Sequence, residues 1–126
     1  MENGKTKIWL GEDKIVRIKI EKDLNEKIIE KIISELKIIS KSLQGKPNIS
    51  IDITSSIPMP SFVLRKKIVK VVKDALQDPG FNKVAEWGIT NNIIKTITIF
   101  VVGAINLKNF KYFDTEEKAL AWFKEE

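Results

Sequence analysis

The side chains able to do chemistry in this chain are few, and they gather around one bend. Ser55, Ser56 and Ser61 stand near Met59 and Phe62, and Arg65, Lys66, Lys67, Lys70 and Lys73 follow directly. Any anionic partner should feel this basic helix first. The usual parts of a catalytic site are missing. The 126 residues include no Cys and no His, which removes thiol chemistry, Ser-His-Asp catalysis and the commonest transition-metal ligand. Asp13, Asp52, Asp74 and Asp78 fall in different segments, without carboxylate-pair or metal-ligand spacing. The glycine-containing turns lack phosphate-loop spacing. No catalytic residue, metal site or cofactor is therefore assigned, and the chain reads as non-enzymatic.

The elements that must position this bend are legible on either side of it. Ile49, Ile51 and Ile53 alternate with Ser50, Asp52 and Thr54, which is strand periodicity with one apolar and one polar face. Pro58 and Pro60 stiffen the loop that follows, and Ser61 opens a basic amphipathic helix to about Gln77. A Ser there accepts a bond from an otherwise orphaned helix amide. Leu64, Ile68, Val69, Val71, Val72 and Leu76 supply the helix's buried face. Strand end, polar loop and helix N-terminus together form the place where ligands and partners dock in open α/β sheets.

Earlier in the chain, Lys5 to Leu10 and Lys14 to Ile20 read as two strands around Gly11-Glu12-Asp13. Only Ile15 breaks the alternation. Asp23, with Glu26 in capping-box spacing, opens a helix whose stripe runs Ile28, Ile29, Ile32, Ile33, Leu36, Ile39 and Leu43. Gly45 and Pro47 stop it.

Later, Asn82 to Ile89 reads as a strand with Val84 and Trp87 as its packing residues. Thr90 to Ala104 reads as a crossover helix, although its β-branched residues also suit a strand. Lys108 to Phe113 is a further strand, and Asp114 with Glu117 repeats the capping box before a terminal helix anchored by Leu120, Trp122 and Phe123.

The order ββαβαβαβα predicts a single α/β domain over 1–126. Its five-stranded sheet is mostly parallel, with right-handed crossovers and an antiparallel first edge strand. Because the second and third strands are two-faced, helices are expected to cover one side of the sheet. The other side would carry Arg17, Lys19, Ser50, Asp52 and Thr54, with Trp9 nearby.

Apolar residues make up 43% and charged residues 31%, as in soluble globular domains. No signal peptide is visible, and the longest apolar run is far below the ~20 residues of a membrane span. A cytosolic protein is the simplest expectation. The net charge of +5 is concentrated in the helix after Ser61, where five cations face Asp74 alone.

The element order, the strand entering a polar loop before a helix, and the ending Phe113-Asp114-Thr115-Glu116-Glu117-Lys118-Ala119-Leu120-Ala121-Trp122-Phe123 resemble the STAS-like family. That family includes sulfate-transporter and anti-sigma-factor-antagonist domains and small stand-alone bacterial relatives, which the closing pattern most resembles. The resemblance implies a superhelix of β-α units with sequentially neighbouring strands, and no catalysis. In the antagonist branch an Asp-Ser-Ser-Gly motif opens the helix after the central strand, and a partner kinase phosphorylates its first Ser. The resemblance puts Ser61 there as a phosphoacceptor, with Pro60, Phe62 and Val63 in place of the motif's other residues.

Three functional readings follow. The first is a binding or regulatory module acting through protein–protein contacts at Ser55, Ser56, Met59, Ser61, Phe62 and Arg65, with self-association through the polar sheet face or an edge strand as a further contact. The second is a carrier or sensor of a lipid-like apolar molecule. Its pocket would be lined by Trp87, Phe100, Phe110, Tyr112 and Trp122, as in the CRAL-TRIO domains that the resembled fold is similar to. The third is nucleic-acid binding by the basic face Lys66, Lys67, Lys70 and Lys73, although stacking aromatics are scarce in that helix.

Overall fold

The computed structural model describes residues 4–55, 61–77, 80–88, 103 and 109–125. Their elements, in order, are β1 (Lys7–Leu10), β2 (Val16–Lys19), α1 (Glu26–Lys41), β3 (Ile49–Asp52), α2 (Phe62–Gln77), β4 (Val84–Trp87), β5 (Phe110–Phe113) and α3 (Glu116–Phe123). The expected helix over Thr90 to Ala104 lies outside the described residues, Gly103 excepted.

All five strands join one sheet in the order β1-β2-β3-β4-β5, with β1 antiparallel to β2 and every other pair parallel. The α/β class, the sequential order and the antiparallel edge strand are as the sequence indicates. Each strand is four residues long, shorter than its apolar pattern.

Alternation divides the side chains between two faces. Val16, Ile18, Ile49 and Val84 lie on the first, packed with Ile32 and Leu36 of α1 and Ala75 of α2. Strands added successively in one direction by same-handed crossovers place their helices on one side. Accordingly α1 and α2 share this core and touch each other. Fully burying one such aliphatic side chain stabilises by about 1.5–3 kcal/mol, so this layer dominates the fold.

The second face departs from the sequence expectation. It is not left open over β3 to β5, because α3 packs there and buries Ala85, Ala119 and Phe123 against Ile15, Trp87, Phe113, Leu120 and Trp122. Ala85 and Ala119 are both 0% exposed. Two methyl side chains facing each other let the helix approach closely, and Ser50 is sealed beneath. The main contacts of α3 are with β3, β4 and β5, and toward β1 and β2 this face carries Trp9, Arg17 and Lys19.

Two helix starts also differ from the capping-box reading. Asn25, not Asp23, caps α1 by accepting from Ile28 N at 2.9 Å. Asp23 instead binds Thr6, accepting from its amide at 2.8 Å and its hydroxyl at 2.7 Å. Thr115, not Asp114, caps α3, while Asp114 pairs with Lys118 at 3.2 Å.

The irregularity at Ile15 has a local cause. Lys14 is left-handed (φ 67), and its amide donates to Gly11 O at 3.0 Å, so the hairpin is a three-residue loop closing on a bulge. The extra residue shifts the alternation and sends Ile15 to the second face. Arg17 then ties hairpin to helix. Its guanidinium bonds both oxygens of Asp13 at 2.8 Å and reaches Glu116 Oε2 at 3.3 Å.

Candidate docking surface

β3 is the central strand, and its C-terminal end is fixed on both sides. Ile53, 2% exposed, donates its amide to Trp87 O at 3.1 Å. Beyond it Asp52 folds the chain back on itself, its Oδ1 accepting from Thr54 N at 2.9 Å and from Thr54 Oγ1 at 2.7 Å. This is a side-chain turn of the kind Asp favours. Thr54 is pressed against Gly88, where a Cβ would lie 2.3 Å from Thr54 Cγ2. The bend is therefore anchored at its strand end. Ser55 is half-buried; Ser56, Ile57, Pro58, Met59 and Pro60 lie outside the described residues.

On the far side of the bend, the hydroxyl of Ser61 accepts from Leu64 N at 3.1 Å, the N-cap role that its position indicates. Phe62 and Val63 follow and both face water, at 58% and 63% exposed. The cations behind them are ordered around the ring. Lys66 Nζ lies 4.7 Å from the Phe62 centroid and the Arg65 guanidinium carbon 5.8 Å from it. Such contacts stabilise by about 0.5–1 kcal/mol at exposed sites. Arg65 is half-buried, and its Nε is shielded from solvent with no hydrogen-bond partner. Ser61, Phe62 and Arg65 thus come together at one helix start, as their spacing in a single turn requires.

The basic face is narrower than the sequence suggests. Lys66, Lys70 and Lys73 are exposed. Lys67 is turned toward α1, where its Nζ meets Glu30 Oε1 at 2.6 Å. That hydrogen bond holds the Lys67 ammonium above its ordinary pKa and the Glu30 carboxyl below its own. One of the four cations is therefore engaged between the two helices.

Of the aromatic residues, Phe110 and Tyr112 lie on one face of the sheet and Trp87 and Trp122 on the other. Phe110 packs into the α1–α2 core, in edge contact with Tyr112 at 5.0 Å between ring centroids. Trp87 and Trp122 sit on the opposite face. There the indole N–H of Trp87 donates to Ser50 Oγ at 2.9 Å. Trp122 stacks near Phe113 at 5.6 Å, and Lys83 Nζ lies 5.2 Å from its ring. The period of two along β5 is the cause: Phe110 and Tyr112 point one way, Lys111 and Phe113 the other. Phe100 lies outside the described residues.

Among the described residues no group of three or more acidic side chains could hold a metal ion. Besides Ile38 on α1, two exposed apolar residues escape the sequence reading as site members. Val63 continues the Phe62 patch and was detectable only as an apolar residue outside the helix's core stripe. Trp9, 40% exposed on the edge strand with Lys7 Nζ 5.4 Å from its ring, occupies a separate place. Glu86 is also unforeseen: it lies 6% exposed in β4, on the Val84 side of the pleat.

Neither family models nor curated proteins nor solved structures match this chain. No helix of the described residues is long and apolar enough to cross a membrane.

Proposed function

We propose that this chain is a cytosolic, non-enzymatic binding or regulatory module that meets a protein partner at the bend after β3 and the first turn of α2. One observation carries the reading. Phe62 and Val63 are adjacent, apolar and more than half exposed, at the helix start where the central strand's loop arrives. Keeping such a pair in water gains nothing for folding, and aromatic anchors beside Arg are typical of binding hot spots. Lys66 and Arg65 stand beside the Phe62 ring, and Lys70 and Lys73 are exposed further along the same helix, so a partner with an acidic rim fits it best. The resemblance to STAS-like domains supports the same reading through the sequential strand order it implies. Phosphorylation of Ser61 would add charge at a helix N-terminus one turn from Arg65, and so would control such contact.

The test is photo-crosslinking in the native cell, with a benzophenone amino acid replacing Phe62 in one variant and Ile38, 70% exposed on α1, in another. A discrete protein adduct from position 62, absent from position 38 and lost with Val63→Asp, is the expected result. Equal labelling from both positions, or none from position 62, refutes the proposal.

A further inference from the structure

The outer edge of β1 has a definite hydrogen-bonding phase. On β2, the amides of Val16 and the following Ile20 donate to Asn48 O and Asp52 O, each at 3.0 Å, so even-numbered residues there face β3. Arg17 and Lys19 must face β1, where the register sets them opposite Trp9 and Lys7. Bonded and non-bonded pairs alternate in an antiparallel ladder. Trp9 and Lys7 therefore use their peptide groups inside the sheet, and the peptide groups of Ile8 and Leu10 point outward.

This window is closed at both ends. The amide of Thr6 is held by Asp23 Oδ1 at 2.8 Å. At Gly11 the amide donates to Ile15 O and the carbonyl accepts from Lys14 N, both at 3.0 Å. Among the described residues, nothing bonds the outward groups of Ile8 and Leu10.

We infer that this edge is a self-association surface, on which β1 of a second copy of the chain pairs antiparallel about a two-fold axis at Trp9. The bond phase selects that register. With Trp9 opposite the partner's Trp9, Ile8 faces the partner's Leu10 and each such pair exchanges two bonds. All four outward groups of both copies are then satisfied. Centring the axis on Ile8 would need the Thr6 amide that Asp23 already holds, and centring it on Leu10 would need Glu12, which lies in the turn.

The side chains agree with the same register. The two indoles, now 40% exposed, meet across the axis on one face. On the other face half-buried Ile8 and Leu10 meet apolar counterparts and extend the layer beneath α1. Charge is complementary as well. Lys5 of one copy lies beside Glu12 and Asp13 of the other, while Lys7 lies beside Gly11, whose side-chain space Arg17 of that same chain occupies. A foreign strand could satisfy the peptide groups but would have to supply its own match to Trp9 and to these charges. A second copy brings both. The seam is short, so the dimer forms at elevated protein concentration.

The chain has no cysteine, so one introduced thiol reports one contact. Directly opposed residues of a non-bonded antiparallel pair lie about 4.5 Å apart at Cα, within disulfide range. Trp9→Cys under mild oxidation is therefore expected to give a covalent dimer, and Ile38→Cys is not. Sedimentation of the wild-type chain from micromolar to millimolar concentration should show a monomer–dimer equilibrium. Leu10→Pro removes an outward amide without touching the β1–β2 ladder and should abolish that dimer with the circular dichroism unchanged. Trp9→Glu, at an exposed position, answers the same question if the proline variant unfolds. A wild-type chain monomeric over the whole range overturns the inference. So does a dimer that survives both variants, or one that Trp9→Cys fails to lock.

Discussion

Replacing Gly88 with alanine tests the joint that aims the docking bend. Gly88 has φ 80, and the Cβ of any other residue there would lie 2.3 Å from Thr54 Cγ2. Two costs add. Left-handed backbone at a non-glycine residue costs roughly 1–2 kcal/mol. Forcing a methyl into occupied space costs about 1–3 kcal/mol, since Thr54 is itself held by Asp52 and cannot swing away freely. Gly88→Ala should therefore lose about 2–5 kcal/mol, a large part of the 5–15 kcal/mol typical of a domain. Thr54→Ser deletes the methyl that clashes while keeping the hydroxyl. In that background Gly88→Ala should cost only the backbone share, about 1–2 kcal/mol. Urea unfolding of the four proteins of this cycle measures the difference, which is the coupling between the two positions. Equal costs of Gly88→Ala in both backgrounds would refute the close approach of the β3 and β4 ends, and with it the anchoring of the bend.

Other outcomes follow from the same geometry. Ser50→Ala leaves the half-buried Trp87 indole N–H without its acceptor and should cost about 1–3 kcal/mol, measured by urea unfolding, and Trp87→Phe in the same chain should recover part of that loss. Arg17 lowers the Asp13 pKa from its ordinary 3.8 to about 2. The folded chain thus binds fewer protons at Asp13 than the unfolded one, and this contribution is complete above 3.8 and disappears as pH falls toward 2. Asp13 is partly exposed, so the effect is about 0.2–1 kcal/mol, and Asp13→Asn should flatten the stability–pH curve in that window alone. Lys83 Nζ donates to Trp122 O at 2.9 Å and Glu125 O at 2.5 Å; Lys83→Met should loosen the end of α3 by about 0.3–1 kcal/mol, seen as faster amide exchange there. A native mass spectrum of the purified chain should show no retained lipid, because the sheet divides the aromatic residues.

By itself the sequence determined the architecture. The isoleucine alternation over 49–53, the wide stripe of α1 and the order of elements suffice for a sequential, mostly parallel sheet, because period and connection length are properties of the chain alone. The position of Ser61 at a helix start was legible for the same reason: a cap is a local bond across three residues. Tertiary structure decided what covers each face. No local signal says that Ala119 will meet Ala85 and so carry α3 over the polar side of β3. Nor does one say that Asp23 will leave its helix to hold Thr6, or that Lys67 will turn to Glu30. The split of the aromatics was readable in principle from the alternation along β5, yet what each group packs against was settled by which face each helix took. Exposure of Phe62, Val63 and Trp9, on which both proposed surfaces stand, is a difference between what neighbouring elements bury and what they leave. That difference exists only once distant segments have packed.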